Sequence, residues 1–280
     1  MTWTLSDSPD DFLAAAGEFL AADPAENTVL LSIAARLAAG TPTGGDPALP
    51  PSLGWWRPAA GAPVGGAFVR MPAQPLRLSR MPREAAARLA ETLSAEELPG
   101  VTGVVEAAEA FAGAWTARSA QDVRVHRNER LYRLGELTPP TVDGRLRPAG
   151  PPDLELLTGW VLAFVEEAEV APGDVVRIVE RRISTGDLCV WERDGRPVSM
   201  AGVSPVVAGM ARIGPVYTPP EERGRGFGGA VTAGISELAL ERGATQVVLF
   251  TDLSNPTSNS LYQRLGYRAV GDQVVLDFTG

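Results

Sequence analysis

Apolar residues recur at helical spacing through residues 154–169, LELLTGWVLAFVEEAE, behind Pro151, Pro152 and Asp153. That pattern predicts an amphipathic helix with Asp153 as its N-cap. The period then changes. The stretch DLCVWERDGRPVSMAGVSPV alternates about Arg193-Asp194-Gly195-Arg196 and predicts a hairpin turning at Asp194-Gly195. GMARIGPVYT predicts a strand interrupted at Gly214-Pro215. Proline removes a ladder donor, so this strand is expected to bulge or splay there. AVTAGISELALERG carries Val231, Ile235, Leu238 and Ala239 on one stripe and ends at Arg242-Gly243, a basic last turn with a C-cap glycine. TQVVLFTD follows as a buried strand, and NPTSNSLYQRLGY as a helix capped by Asn255 with Pro256 in its first position. AVGDQVVLDF closes the chain as strands.

Residues 1–135 carry the same succession of patterns. FLAAAGEFLAADPAENTVLLSIAARLAAG predicts two short helices, LGWWRPAAGAPVGGAFVRM a hairpin, and PLRLSRMP a strand. REAAARLAETL predicts a helix, VTGVVEAAEAFAGAWTARS a strand and helix, and VRVHRNERLYRLGEL strands. Between the halves, GELTPPTVDGRLRPAGPPD concentrates proline and glycine, the mark of a linker. The expected division is therefore a first domain over 1–135, a linker over 136–150 and a second domain over 151–280.

Composition narrows the chemistry. With 280 residues, 45% of them hydrophobic, the chain can bury one large core or two moderate ones. Asp7, Asp10, Asp11 and Glu18 interrupt the short apolar groups near its start, which fits neither a signal peptide nor a membrane span and leads to a cytoplasmic expectation. One cysteine, Cys189, allows no intrachain disulfide and no cysteine-based zinc cluster. The single histidine, His126, reads as a solvated strand residue, and no metal is expected. All 25 basic residues are arginine. Without lysine there can be no Walker P-loop, no protein-kinase site and no pyridoxal Schiff base. A net charge of −9 argues against general nucleic-acid binding.

RGRGFGG, residues 223–229, sets four glycines and two arginines between a strand and a helix. Strand, loop, helix and strand in that order give a right-handed crossover, with the loop's free amides at a helix N-terminus. Glycines permit positive φ and close approach, successive amides form an anion nest, and Arg223 and Arg225 add charge, all of which suit a pyrophosphate. A tight turn with solvated arginines is the plainer alternative. Gly224, Gly226 and Gly229 also satisfy G-x-G-x-x-G, with Asp252 at the end of the next strand. A dinucleotide fold needs several further strand and helix units after that acid, and residues 253–280 are too few to supply them.

Arg223-x-x-Gly226-x-Gly228, following the bent strand in PVYTPPEERG and followed by LFTDLSNPTSNSLYQRLGY, resembles the GNAT-type N-acetyltransferase superfamily over residues 144–278. The resemblance implies an α/β fold with a mixed, partly splayed sheet flanked by helices, and acetyl-coenzyme A as co-substrate. It implies that Arg223, Gly224, Arg225, Gly226, Phe227 and Gly228 hold the pyrophosphate, and that Val216, Tyr217 and Thr218 offer main-chain bonds to the pantetheine arm. Asn255 and Asn259 would contact that arm, and Tyr262 would be the acid beside the thioester sulfur. For Asn255 a plain N-cap is an equal alternative, Asn259 could be a solvated helix residue, and Tyr262 a core aromatic. In the first half the place of the loop is taken by Met81-Pro82-Arg83-Glu84-Ala85-Ala86, with no glycine and an acid where phosphates would sit. Two tandem domains are expected, the first a degenerate copy.

The expected reaction transfers acetyl from acetyl-coenzyme A to a primary amine of a small molecule or peptide. The alternative is a non-catalytic acyl-coenzyme A sensor. Glu192 or a water chain could take the amine's proton, and the helix at 154–169 with a loop at 181–186 would line the acceptor pocket. Glu166, Glu167 and Glu169 could attract a cationic amine or form a wet helix face. Neither nucleic acid nor membrane is an expected partner.

Overall fold

A computed structural model describes residues 2–40, 50–169 and 174–280. In chain order the first elements are β1 (Thr2–Ser6), α1 (Pro9–Ala21), α2 (Thr28–Ala38), β2 (Ser52–Arg57), β3 (Gly66–Arg70), β4 (Leu76–Leu78), α3 (Arg83–Thr92), β5 (Gly100–Val104), α4 (Val105–Thr116) and β6 (Asp122–Leu134). They are followed by β7 (Arg145–Pro148), α5 (Leu154–Glu167), α6 (Val175–Ser184), β8 (Leu188–Arg193), β9 (Arg196–Val203), β10 (Met210–Tyr217), α7 (Phe227–Glu241), β11 (Gln246–Asp252), α8 (Pro256–Arg264) and β12 (Tyr267–Thr279). The order strand, two helices, three strands, helix, strand, helix, strand thus occurs twice. The hydrophobic pattern predicts this repeat except for β1, β7 and α6, which are not among the expected elements.

The chain divides into two compact units: Met1–Leu131 with Thr251–Pro256 and Ala269–Gly280, and Tyr132–Phe250 with Thr257–Arg268. Both units are discontinuous, whereas the sequence expectation cuts the chain once, between 135 and 151. The division passes through β6, β11 and β12.

In the first unit the strands run in the order β1-β2-β3-β4-β5-β12. Only β4 and β5 are parallel in that set. Residues Gln273 to Asp277 of β12 lie antiparallel to β5, so the last strand of the chain completes the sheet of the first unit. Its alternation sends Val274, Leu276 and Phe278 into the core with Phe68, Leu76, Leu89 and Phe111. Phe111, Trp115 and Phe278 stack there at centroid distances of 5.7–6.4 Å. His126, expected to be solvated, lies 3.1 Å from Asp277 Oδ2.

The second unit carries the order β11-β10-β9-β8-β7, with β10 and β11 parallel and the rest antiparallel. Alternation gives the sheet two buried faces. Ala201, Val203, Ala211, Ile213, Val247 and Leu249 meet Val231, Ile235 and Ala239 of α7 and Leu265 beyond α8. Leu188, Val190, Met200 and Tyr217 meet Leu157 and Val161 of α5 and Val175 and Val179 of α6. Asp194 and Gly195 both adopt left-handed φ, 50° and 74°, as a tight hairpin turn requires. Residues 181–186, expected as loop, include the last turn of α6. Asp174 caps that helix by accepting from the Arg177 amide at 3.1 Å.

The proline- and glycine-rich run expected as a linker supplies β7, which pairs with β8 from Arg145↔Glu192 to Pro148↔Cys189. Asp153 stands at the N-cap of α5 without a side-chain bond into the helix. Its carboxylate accepts instead from the Gly150 amide at 2.8 Å and from both terminal nitrogens of Arg147 at 2.7 and 2.9 Å. Arg147 Nε also reaches Glu192 at 2.5 Å, and Arg145 Nη2 reaches the same carboxylate at 2.9 Å. Hydrogen bonding to Arg147 holds the Asp153 and Glu192 carboxyls below the usual range.

Arg147→Leu leaves Asp153, 8% exposed, without its counter-charge. The expected loss is about 1–3 kcal/mol of stability, read by thermal melting. Because the Asp153 pKa is depressed by folding, the contribution is present above about pH 4 and lost as pH falls through the folded value. The melting gap between wild type and variant should therefore shrink in acid; a constant gap from neutral pH to about pH 3 would contradict this assignment.

Candidate functional site

β10 and β11 pair from Met210↔Gln246 to Ile213↔Leu249, and there the parallel ladder ends. On its other edge β10 continues beside β9, with Ile213 opposite Val203, Val216 opposite Ala201 and Tyr217 opposite Met200. Three steps along β10 match two along β9, which is a β-bulge spanning Gly214-Pro215. The sequence locates it for the right reason, since Pro215 has no N–H to give to a ladder. Gly214, at φ 149°, takes a conformation open to glycine. Val216, Tyr217 and Thr218 therefore follow the point where the pairing of β10 with β11 ends.

The glycine loop lies just beyond. Gly224 and Gly226 adopt left-handed φ of 77° and 84°, and Gly226 is the N-cap of α7. The first helical amide to find a partner is that of Ala230, which donates to the Gly226 carbonyl at 3.0 Å. Among the described residues, the backbone N–H groups of residues 224–229 have no protein acceptor. Six successive donors at a helix N-terminus form an anion-binding nest. Space around them is tight: a Cβ on Gly226 would stand 2.9 Å from Val142 Cγ2, one on Gly228 3.2 Å from Thr218 Oγ1, and one on Gly229 3.1 Å from Leu261 Cδ1. Phe227 contributes only main chain here, because its ring is buried with the Arg193 guanidinium 5.9 Å from its centroid.

Both arginines of the loop are held by acids. Arg225 Nη1 lies 2.7 Å from Glu222, and Arg223 Nη2 lies 2.6 and 2.9 Å from the two oxygens of Glu167 on α5. Arg223 Nε donates to the Thr218 carbonyl at 2.9 Å, and its guanidinium sits 5.7 Å from the Tyr217 ring centroid. Tyr217 in turn packs against Trp160 of α5 at 6.3 Å. Thr218 Oγ1 shares a 2.8 Å hydrogen bond with Ser199 Oγ. Tyr217, Thr218, Arg223 and Gly228 are thus neighbours, while the arginine charges point at carboxylates.

α8 packs on the start of α7 through Leu261, and Tyr262 is the next residue. Tyr262 is buried, its ring edge-on to Tyr267 at 6.1 Å. Its hydroxyl has no hydrogen-bond partner among the described residues, and burial pushes its pKa up to about 12. The neighbouring Tyr267 hydroxyl, by contrast, shares a 2.7 Å bond with Ser236. Asn259, one turn before Tyr262, accepts through Oδ1 from the Tyr132 hydroxyl at 3.0 Å, and Gln263 Nε2 donates to that same hydroxyl at 3.0 Å. Asn255 is exposed, belongs to the first unit and donates its amide to the Asp252 carbonyl at 3.1 Å.

Other features were beyond sequence pattern. Arg182 on α6 donates to the Gly214 carbonyl at 2.8 Å, and Ser199 to the Tyr217 carbonyl at 3.0 Å. Glu192, considered as a base, is held ionised by Arg147 and Arg145, which lowers its basicity. Cys189 is buried and its thiol is pushed up to about 11, so it is no nucleophile at neutral pH. Among the described residues no group of three or more His, Cys, Asp and Glu could hold a metal, and no helix is long and apolar enough to cross a membrane.

Residues 157–267 match the Acetyltransferase (GNAT) family. Similar solved structures include an acetyltransferase from the GNAT family from Colwellia psychrerythraea, with TM-score 0.61 and 12% identity over 100% of this chain and 99% of that one. A tandem GNAT protein from the clavulanic acid biosynthesis pathway aligns with TM-score 0.58 and 13% identity over 100% and 98%. Among curated proteins, the mycothiol acetyltransferase of Salinispora tropica is 44% identical over 63 residues, which are 21% of this chain and 20% of that relative. The chain spans about a fifth of the length of the curated relatives it matches. Residues 157–267 thus match the GNAT family model, and the fold of the chain is similar to that of the tandem GNAT protein.

The Glu167 pair competes with any phosphate for Arg223. Both partners are about half exposed, at 47% and 50%, so their bond is worth at most about 1 kcal/mol. Glu167→Gln should tighten coenzyme A binding about 2- to 5-fold at low ionic strength, measured by calorimetry. Weaker binding would show that Glu167 supports the loop rather than opposing the ligand.

Proposed function

We propose that the second unit transfers the acetyl group of acetyl-coenzyme A to a primary amine of a small molecule or peptide, and that the first unit binds no coenzyme A. The observation that carries this reading is the nest of unpaired amides at residues 224–229 beside the slot opened where β10 leaves β11. The residues present fit the group: an extended amide-bearing arm needs a strand edge, and a pyrophosphate needs close approach to donors. Arg223, Gly224, Arg225, Gly226, Phe227 and Gly228 would hold the phosphates, the last five through their amides. Val216, Tyr217 and Thr218 would bond the arm through their main chain. Asn259 of α8, which accepts from the hydroxyl of Tyr132 on β6, would contact the arm, and Asn255 lies in the first unit.

Acetyl-coenzyme A, when bound, supplies an activated thioester. The chain's own contributions are positioning, a donor for the carbonyl oxygen and a proton for the sulfur. The new N–C bond forms as the C–S bond breaks; the amine loses a proton to solvent, and the sulfur gains one. The Val216 amide is the donor closest to the bulge for the developing oxyanion. Tyr262, whose hydroxyl has no protein partner among the described residues, would donate to the leaving sulfur. Its pKa of about 12, raised by burial, keeps it protonated and able to donate at neutral pH. The first unit supports the negative half of the proposal. A Cβ on Gly103 would stand 2.8 Å from the Leu78 carbonyl, so β4 and β5 stay in contact where a slot would open. Pro82 occupies the N-cap of α3, and the amides of Ala85 and Ala86 already donate to its carbonyl.

Calorimetry with coenzyme A should give one site per chain, and Gly226→Glu should abolish it by steric block and like charge. Two equivalent sites would overturn the division of labour. Tyr262→Phe keeps the ring against Tyr267, so coenzyme A affinity should hold while turnover on the best acceptor of an amine panel falls about 10²-fold. Unchanged turnover would make Tyr262 a packing residue. Tight binding without thiol release on any amine would make the protein a coenzyme A sensor instead.

A further inference from the structure

α6 turns Val175 and Val179 toward the sheet, and Arg182, three residues on, falls on the same side. The apolar stripe itself runs on to Ile183, and Arg182 lies beside it. Arg182 Nη1 donates to the carbonyl of Gly214, the residue that opens the bulge, at 2.8 Å. Gly202 makes the room. It lies opposite Leu188 in β8, so its missing side chain would point to the face that carries α5 and α6. A Cβ there would collide with Arg182 Nη1 and stand 2.8 Å from the Gly214 carbonyl oxygen. Three residues from three elements therefore form one device: β9 leaves a hole, α6 fills it with a guanidinium, and β10 presents a carbonyl to it.

The bulge needs such a grip. The ladder to β11 ends with Ile213, and Pro215 has no N–H, so the peptide plane between Gly214 and Pro215 gains no ladder bond on the β11 side. We propose that Arg182 is a positioning residue: by holding the Gly214 carbonyl toward α6 it sets the orientation of the bulge, and with it the aim of the Val216 amide into the slot. This inference rests on reading the slot as the thioester site. It predicts a division between the two ends of the ligand, because Arg182 acts on the bulge while the phosphates are held by the glycine loop.

Arg182→Ala, Arg182→Lys and Gly202→Ala in the full chain test it. Arg182→Ala should lower kcat about 10- to 100-fold, the cost of a donor misplaced by an ångström, with coenzyme A affinity within about 3-fold of wild type. Methylguanidinium should restore part of that kcat, whereas Gly202→Ala, whose methyl group occupies the same room, should lose kcat and show no rescue. Arg182→Lys, a point donor without the planar fork, should fall between. Amide hydrogen exchange over residues 214–218 should speed up in Arg182→Ala. Full turnover in Arg182→Ala, or a loss of kcat, coenzyme A affinity and melting temperature together without rescue, overturns the proposal. Should wild type bind coenzyme A and acetylate nothing, the acetyltransfer reading fails on its own, and exchange alone decides the brace: faster exchange confined to 214–218 sustains it, and unchanged exchange overturns it.

Discussion

A parallel pair of strands satisfies each inner strand's backbone on both sides, and a ligand can enter such a sheet only where that pairing stops. In the second unit it stops at Ile213↔Leu249, because one extra residue in β10 and a proline without an N–H take the strand away from β11 while β9 keeps hold of it. The rest of the site follows from that loss of register. The helix that crosses over from β10 to β11 must begin beyond the open end, so the amides of residues 224–229 arrive there unpaired. α8 returns over the start of α7 through Leu261, which carries Tyr262 into the same region with its hydroxyl unspent.

The first unit shows what the same order of elements does without that departure. Its β4 and β5 are parallel too, but Gly103 lets the Leu78 carbonyl lie against β5, and the helix after β4 opens on Pro82 rather than on glycine. The proline gives a helix start a fixed φ and no N–H, and Met81 beside it is buried. A core, a hairpin and a crossover helix survive; donors for an anion do not. Duplication of a fold need not duplicate a site, since a site depends on a few backbone conformations that the core does not require.

Arginine does all the cationic work in this chain, and its geometry recurs. At Arg147 the planar fork joins Asp153 to Glu192 and ties the run ahead of α5 to β8. At Arg223 one side chain joins a carboxylate, a carbonyl and an aromatic ring, and at Arg182 it reaches a carbonyl above Gly202. Arg147 and Arg223 each use several donors set in one plane, which an ammonium on a flexible stem does not provide.

The local devices were legible in the chain because they depend on near neighbours. Asp194-Gly195 makes its turn by backbone freedom at two residues, Gly214-Pro215 breaks a ladder by a missing donor, and Gly226 starts α7 in a conformation that side chains disfavour. Most of the repeat of element types followed from periodicity, apart from β1, β7 and α6. α6 escaped notice despite Asp174 and the spacing of Val175, Val179 and Ile183, since its polar face is as prominent as its apolar one. What pattern could not supply was partnership at a distance. That Arg223 meets Glu167 and not open solvent, that Arg182 fills the space over Gly202, that Asn259 answers Tyr132, and that β12 completes the sheet beside β5 all depend on chain segments far apart in sequence. A residue's conformational preferences are set within a few bonds, whereas the partner of a charge, the room for a side chain and the neighbour of a strand edge exist only once the chain has packed.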